Sequence, residues 1–527
     1  MKFSFSRSNL DLEAKFLQRC FEMLPGLLSW LAIIVFIAFA VYKPFIASGL
    51  MIAVYIYWIL KVLYLNLNLK SAYKRLSVEE DAADWITRAR GLNDVSEYLR
   101  HLYLTDIVEP NTPEDRSMSI HKAEIALLRK TKKMPMLLKD IHHCLIMPVA
   151  SLREKELQSA LESIQLSTFH PEKIMVLLLI DETMPSSEQE AVKNIQESFK
   201  SEFFKVMLVN ASLTEPGLKL SMPQALNMAA VKAGEYFKSE DISFQNVILT
   251  VFDRPCFLRH DFLSCLTYTF MVNPDRQEAV LQPIPSYSEG LLERDPGSGF
   301  SQISSMSFEA AQAVNPWSFS YFLPCSMSLE LFSRTGYLPE RILSYRQAFS
   351  YKVLLEKGDA FRVIPYYSRY LIDAGLEKAK AEQAWAAELF PIIMRGFMKT
   401  NALSFEQKLK RALFMLEDLV FKATWPFFLT IAGWMPLFFL GREFSDPLFY
   451  FNVPRIKGVI FLLSFLGFLN VLGLSLSLIP AGKKKQSIAD KLKKIPGFTV
   501  SAVLAYFKTA SQYLLAQTRM FFGNYYN

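Results

Sequence analysis

Three apolar runs near the middle of the chain stop abruptly at polar residues. Val247-Ile-Leu-Thr-Val-Phe leads into Asp253-Arg-Pro-Cys256, Ile174-Met-Val-Leu-Leu-Leu-Ile180 into Asp181-Glu182, and Cys144-Leu-Ile-Met147 into Pro148. Continuous apolar or β-branched runs of this length predict strands buried on both faces. Phe204–Val209 predicts a further strand. Between these runs the period changes to that of a helix. Leu152, Leu157, Ala160, Leu161 and Ile164 share one face of a helix over 151–165, and helices are also predicted near 186–200 and over 224–233. Strands alternating with helices predict an α/β domain with a parallel, doubly wound sheet, starting near Met134. Ligands of such sheets bind off the carboxyl ends of the strands. Asp181 and Asp253 both fall at that edge.

The flanks carry a different pattern. Residues 1–23 hold Lys2, Arg7, Lys15 and Arg19, with Leu12, Phe16, Cys20 and Leu24 at helical spacing, which predicts an interfacial helix. No small-residue cleavage site follows, so a signal peptide is not expected. Leu24–Tyr42 is an uncharged run of 19 residues, Lys43-Pro44 breaks it, and Pro44–Leu67 is a second run whose only charge is Lys61. Each is long enough to span a bilayer. Lys70, Lys74 and Arg75 follow, which orients the N-terminus and residues 76–400 to the cytoplasm.

Residues 76–135 are charged, helical in period and broken at Glu109-Pro-Asn-Thr-Pro113, and are expected to form a solvated helical connector. Ser404-Phe-Glu-Gln407 has the form of a capping box. The helix it opens places Phe405, Leu409, Ala412, Leu413, Leu416 and Val420 on one face, as an interfacial helix would; a core-facing helix is the alternative. Ala423–Leu440 and Gly458–Ile479 are expected as third and fourth spans, and Lys483-Lys-Lys485, Lys491, Lys493 and Lys494 keep that end cytoplasmic. In Phe498–Phe522, Lys508, Gln512, Gln517 and Arg519 favour a helix lying in the interface over a fifth span. The expected division is 1–75 interfacial helix and transmembrane hairpin, 76–135 connector, 136–400 α/β domain, and 401–527 interfacial helices with a transmembrane pair.

Composition fits this layout. The hydrophobic fraction is 51% and the mean hydropathy +0.17 over 527 residues. A net charge of +7 suits an anionic membrane surface or a phosphorylated ligand. No dense Lys/Arg stripe with interleaved aromatics occurs in the soluble part, which argues against a nucleic-acid partner. Cysteines 20, 144, 256, 265 and 325 form no C-x-x-C and read as reduced core thiols in a reducing compartment. No Gly-x-Gly-x-x-Gly or P-loop occurs. His142-His143 precedes a strand without a third ligand, so no metal site is expected there.

Taken together, the layout and several segments resemble a membrane-embedded family 2 glycosyltransferase of the polysaccharide-synthase type. His143–Pro148 with Leu157–Ser163 resembles that family's opening strand and helix, and Val176–Asp181 the strand whose terminal acid contacts the nucleotide base. Gln224-Ala-Leu-Asn227 resembles the "K…ALN" segment, with Lys219 further upstream than usual. Val247–Pro255 with Phe262-Leu263 resembles the strand ending in D-x-D, and Tyr321–Gly336 with Tyr337-Leu-Pro the acceptor-side segment. Leu355-Glu-Lys-Gly358 and Val363-Ile-Pro365 resemble the stretch after the catalytic acid. The resemblance covers most of residues 140–390. It implies a GT-A-like cytosolic domain flanked by N- and C-terminal transmembrane and interfacial helices, in a multi-pass protein of the cell (inner) membrane.

The chemistry departs from that pattern. Transfer from a nucleotide sugar needs a cation or equivalent charge on the leaving diphosphate, carboxylates to hold it, and a base for the acceptor proton. The D-x-D position reads Asp253-Arg254-Pro255, without the second acid. Counting back from Leu355–Gly358, the base position falls on Tyr345-Arg346, and no acid lies between Arg341 and Glu356. The Q-x-x-R-W position reads Ala381-Glu-Gln-Ala-Trp385, a remnant in which Gln383 is displaced and Trp385 kept. Residues implied as nucleotide-binding by the resemblance are Asp181, Asp253, Lys219 and Arg254; a structural alternative for the two acids is helix capping. The departures favour a catalytically degenerate scaffold or partner subunit in cell-envelope polysaccharide or glycolipid synthesis, with no cofactor. The alternative is an active inverting enzyme with a divergent site, using a nucleotide sugar with Arg254 or Arg346 on the phosphates, and Mg2+ or Mn2+ only in that case. A transporter is disfavoured, since no charge lies deep in a span.

Overall fold

The computed structural model describes residue 5 and residues 10–79, 82–104, 112–149, 154–181, 184–211, 221–252, 256–284, 286–287, 310–315, 324–340, 342, 344–368, 370–372, 388–432, 435–439, 507–523 and, between 455 and 473, residues 455, 458–459, 461–463, 465–467, 469–470 and 473. The chain divides into two compact units. One, the sheet unit, comprises residues 71–288 and 312–373; the other, the helical unit, comprises 1–70, 289–311 and 374–527.

The sheet unit is built on a seven-stranded sheet. Its strands are β1 (His142–Val149), β2 (Ile174–Asp181), β3 (Lys205–Ala211), β4 (Val247–Val251), β6 (Ala279–Pro283), β8 (Cys325–Ser328) and β9 (Arg362–Tyr366), in the order β3-β2-β1-β4-β8-β6-β9. β4 is the central strand. Every residue of β1, β2 and β4 is buried, which is why their middles read as apolar runs; His142 and His143, expected ahead of the first strand, belong to it. β1 lies parallel to β2 and β4, and β2 parallel to β3. The expectation of a wholly parallel sheet needs correction: β8 runs antiparallel to both β4 and β6, so the sheet is mixed. A small second sheet orders β5 (Phe257–Leu258), β10 (Tyr370–Ile372) and β7 (Ser286–Tyr287).

The predicted helices appear as α6 (Glu154–Gln165), α7 (Ser186–Ser198) and α8 (Ser221–Ser239), and α9 (Phe262–Val272) follows β5. The stretch expected to be a solvated connector is helical, with one face solvated and the other buried in the core. It forms α3 (Trp85–Gly91), α4 (Val95–Leu104) and α5 (Pro113–Thr131). Trp85, Ala89, Leu92, Val95, Leu99, Ile125 and Leu128 belong to the same hydrophobic core as β1, β2 and α9. Trp85, Ala89 and Leu92 sit at i, i+4 and i+7, an apolar stripe that the surrounding charges obscure in the sequence. α5 opens on a complete capping box, with Thr112 and Asp115 bonding each other's backbone N–H and Pro113 in the first turn.

These helices bury a directional chain of hydrogen bonds. The Tyr268 hydroxyl donates to Glu124 Oε2 at 2.8 Å, so it accepts from His121 Nδ1 at 2.7 Å. His121 Nε2 then accepts from the Tyr98 hydroxyl at 2.9 Å. Arg75 pairs with Glu124 and, at 3.1 Å, with Glu79. Arg88 donates to Ser117 Oγ at 2.7 Å. Burial first, and the Arg88 charge second, push the His121 pKa down to about 3, so its imidazole is neutral.

In the helical unit, α1 (Leu12–Tyr42) starts at Asp11, whose side chain accepts from Ala14 N at 2.8 Å. No break separates the expected interfacial helix from the expected first span; Pro25 lies inside one continuous helix. The break at Lys43-Pro44 is where the sequence puts it, and α2 (Pro44–Glu79) follows, running across the division between the units. By length and composition, α1 and α2 can each cross a membrane.

The helix Phe405–Leu429 begins with the expected capping box, Ser404 N to Gln407 Oε1 at 2.8 Å and Gln407 N to Ser404 Oγ at 3.3 Å. It does not stop before the stretch expected as a third span but continues through Pro426 to Leu429, and Met435–Phe439 is separately helical. Its Glu417 pairs with Lys61 at 2.8 Å, and Trp58 stacks on Phe421 and Trp425. The helical residues 507–522 pack on both α1 and this helix: Gln517, 1% exposed, accepts from Ser29 Oγ at 2.7 Å and donates to Leu419 O at 2.9 Å. Gln517, which in the sequence argued for a helix in the interface, is therefore an internal polar contact.

Candidate functional site

The strand ends set the frame. Val251 of β4 is level with Ile146 of β1, and Ile146 with Leu177 of β2. β2 continues from there to Asp181, which pairs with Ala211. The chain leaving β4 is still held to β1, Phe252 N donating to Ile146 O at 2.9 Å. Asp181 is 3% exposed, so this strand-terminal acid sits inside the fold. Asp253, Arg254, Lys219, Gln383 and Trp385 lie outside the described residues.

On the other side of β4, β8 brings Ser326 level with Thr250, their hydroxyls 2.9 Å apart. Ser328 caps the helix Leu329–Arg334 by accepting from Leu331 N at 3.0 Å. The turn after that helix is left-handed at Gly336 (φ 74°) and also at Tyr337 (φ 63°), a position where a residue with a Cβ is strained. Two elements hold the turn. Asn227 of α8 accepts from Leu338 N at 2.9 Å and donates to Leu338 O at 3.0 Å. Lys352 donates to Gly336 O at 2.8 Å and Tyr337 O at 2.9 Å. The held turn presents Glu340, whose carboxylate accepts from Gln224 Nε2 and Asn227 Nδ2, each at 3.3 Å.

Glu340 was missed by counting along the chain, because its neighbours come from α8, more than a hundred residues away. The available signal was the Gln224–Asn227 segment, singled out without a partner. Tyr345 and Arg346 open the helix Tyr345–Lys357. Tyr345 is buried, and the Arg346 guanidinium lies over its ring at 5.4 Å with Nε 3.3 Å from the phenolic oxygen. A guanidinium stays protonated and accepts no proton, so this position offers no base. Asp261, buried at the start of α9, accepts from Ser368 Oγ at 2.9 Å and pairs with Arg259 at 3.3 Å, a structural role.

The two histidines are committed separately. Thr267 Oγ1 donates to Leu263 O at 2.8 Å and so accepts from His143 Nε2, also at 2.8 Å. Burial pushes the His143 pKa down to about 3. His142 Nδ1 donates to Asp140 O at 3.1 Å. Among the described residues, no group of three or more His, Cys, Asp or Glu is placed to hold a metal ion.

No protein-family model matches the chain, and no curated protein matches it in sequence. Solved structures similar to it include a mannosyltransferase from Pyrobaculum calidifontis in complex with GDP-mannose and Mn2+, at 12% identity and a TM-score of 0.38, over 82% of this chain and 97% of that one. S. aureus TarS is similar at 13% identity and a TM-score of 0.33, over 73% of this chain and 93% of that one. GalNAc-T7 with UDP, GalNAc and Mn2+ is similar at 11% identity and a TM-score of 0.33, over 54% and 56%. Scores this low do not establish a shared fold, and the functional reading rests on this chain's own residues.

Proposed function

We propose that this chain is a glycosyltransferase-like integral membrane protein that has lost its own transfer chemistry and serves as a scaffold or partner subunit in cell-envelope polysaccharide or glycolipid synthesis. The observation that carries this reading is at the base position. Where a carboxylate must take the acceptor proton, the chain has Tyr345 and Arg346, and the arginine is folded onto the tyrosine ring. Loss of a general base removes about 10²–10⁴-fold of rate. The D-x-D position adds to this, because Pro255 supplies no carboxylate. Buried Asp181 fits retention for structure. The apolar helices α1 and α2 support a membrane location, with both termini and the sheet unit on the cytoplasmic side by the charges that follow them.

The test is titration of the purified full chain with UDP- and GDP-sugars, with and without Mg2+, Mn2+ and EDTA, by calorimetry or thermal shift. The expected result is weak or absent binding that does not depend on the metal. Tight, EDTA-sensitive binding that Asp253→Ala abolishes would sink the degenerate reading. In the same membranes, topology tags at residues 1 and 527 and within 100–400 should report cytoplasm, and one near Ser445 the outside.

A further inference from the structure

We propose that the end of α5 and the extended segment after it, residues 127–139, form a docking surface for an acidic, apolar segment of a partner protein, an inference that rests on the partner-subunit reading for its occupant alone. The first support is charge. The fifteen residues 125–139 hold five cations and no acid. These cations, Arg129, Lys130, Lys132, Lys133 and Lys139, are all exposed. Among the described residues only Lys133 of the five has an ion-pair partner, Asp275 at 2.6 Å, and that pair is itself exposed. Arg129 and Lys130 complement the carboxyl end of α5, but the other three lie beyond it. A surface of one sign steers and orients a partner of the other.

The second support is apolar exposure at the same place, on a fixed backbone. Leu127, Met134 and Leu137 are 59%, 48% and 40% exposed, while Leu128 and Leu138 beside them belong to the core. α5 ends at left-handed Lys132 (φ 58°). Buried Arg276 then donates to Lys133 O at 2.8 Å and Met134 O at 3.2 Å, and Asn93 Oδ1 accepts from Leu138 N at 2.8 Å. A surface held in advance loses little ordering entropy on binding. Apolar anchors ringed by cations suit a partner whose own anchors are ringed by carboxylates.

The third support decides between anionic partners. The segment leads into β1 at His142, level with the first residue of β4, and Arg276 precedes β6 at Ala279. The surface therefore lies at the amino edge of the sheet. The last turns of α2 meet the sheet unit at the opposite edge, where Arg75 stacks on Tyr367, the residue after β9, at 4.4 Å. A protein, rather than the bilayer that α2 enters, is the favoured occupant. Residues 125–139 hold no aromatic on which a base could stack, which disfavours nucleic acid.

The experiment places a photo-crosslinking amino acid at Met134 or Leu137 of the full chain in its native membrane and maps the captured peptide. One stretch of one other protein is expected, rich in Asp and Glu among apolar residues, and a crosslinker at exposed Leu166 should not capture it. Lys130→Glu with Lys139→Glu should lower the yield about tenfold, the joint effect of removing two attractive charges and adding two repulsive ones, and leave the melting temperature unchanged. Reversing two acids of the captured stretch to lysine should restore the yield in that variant. A crosslink to lipid, to nucleic acid or to a second copy of this chain overturns the proposal. So does no crosslink, or a yield that the double variant leaves unchanged. Tight, metal-dependent nucleotide-sugar binding alongside the expected crosslink and its rescue supports the docking surface while overturning the degenerate reading.

Discussion

The sheet unit holds two polar clusters that differ in every physical respect. Around His121 the chain of bonds passes through two buried groups, His121 and Tyr268, and donates in one direction, from half-buried Tyr98 to half-buried Glu124. Around Glu340, Glu340 and Gln224 are exposed, the carboxylate's two bonds are 3.3 Å long, and the turn beneath is clamped by buried Asn227 and by Lys352. A buried chain with matched donors and acceptors holds helices together, because any break leaves a desolvated group unpartnered. An exposed pair on a rigid base leaves bonding capacity for something else. Polarity thus joins helices in the first case and tops a clamped turn in the second.

The sharpest way to break the comparison is to remove the buried member. Tyr268→Ala should cost about 3–5 kcal/mol, the range for emptying a large aromatic site, and chemical denaturation should show it as a lower midpoint. A loss below about 1 kcal/mol would mean that the His121 chain is not structural.

Acid probes the same cluster less drastically. His121 is neutral in the fold, with a pKa near 3 against an ordinary value of 6.5, and His143 behaves alike. The unfolded chain therefore binds more protons between those values. The stability these imidazoles supply is complete above about pH 6.5 and declines as the pH falls through 6.5 towards 3. Melting temperature followed downwards from neutral pH should drop less steeply in His121→Gln than in the unaltered chain. Equal slopes would remove His121 as a source of acid sensitivity.

The gentlest test lies at the exposed cluster. Asn227→Ala strips two backbone partners from buried Leu338 and should cost about 1–3 kcal/mol, with faster hydrogen exchange over 336–340. Glu340→Ala should change stability by less than about 0.5 kcal/mol. If the two variants cost the same, Glu340 belongs to the structural clamp.

How much of this was legible follows from where each signal resides. β1, β2 and β4 are buried on both faces, so their apolar runs announced them. β8 is four residues that alternate Cys or Met with Ser, and nothing in so short a run tells its direction or its place between β4 and β6. The stripe Trp85, Ala89, Leu92 was outweighed by charge, because Arg88 and Glu124 count as solvated until their buried partners are known. The position of Tyr345 and Arg346 was readable by counting along the chain. Glu340 was not, because what makes it a candidate is its proximity to Gln224 and Asn227 on α8, a relation that only folding creates.

The ion pair between Lys61 and Glu417 has a consequence for biogenesis. Its members lie 356 residues apart in the chain. At about 5–20 residues per second, on the order of 20–70 s of synthesis separates the emergence of the lysine from that of its carboxylate. If the run Pro44–Leu67 of α2 spans the bilayer, its one charge, Lys61, waits unneutralised for that time and must reach towards the headgroups along its flexible stem. Translation arrested before residue 417 would leave a polar, unpaired α2 in the membrane, chemically distinct from the finished protein and open to recognition by the machinery that clears incomplete membrane chains.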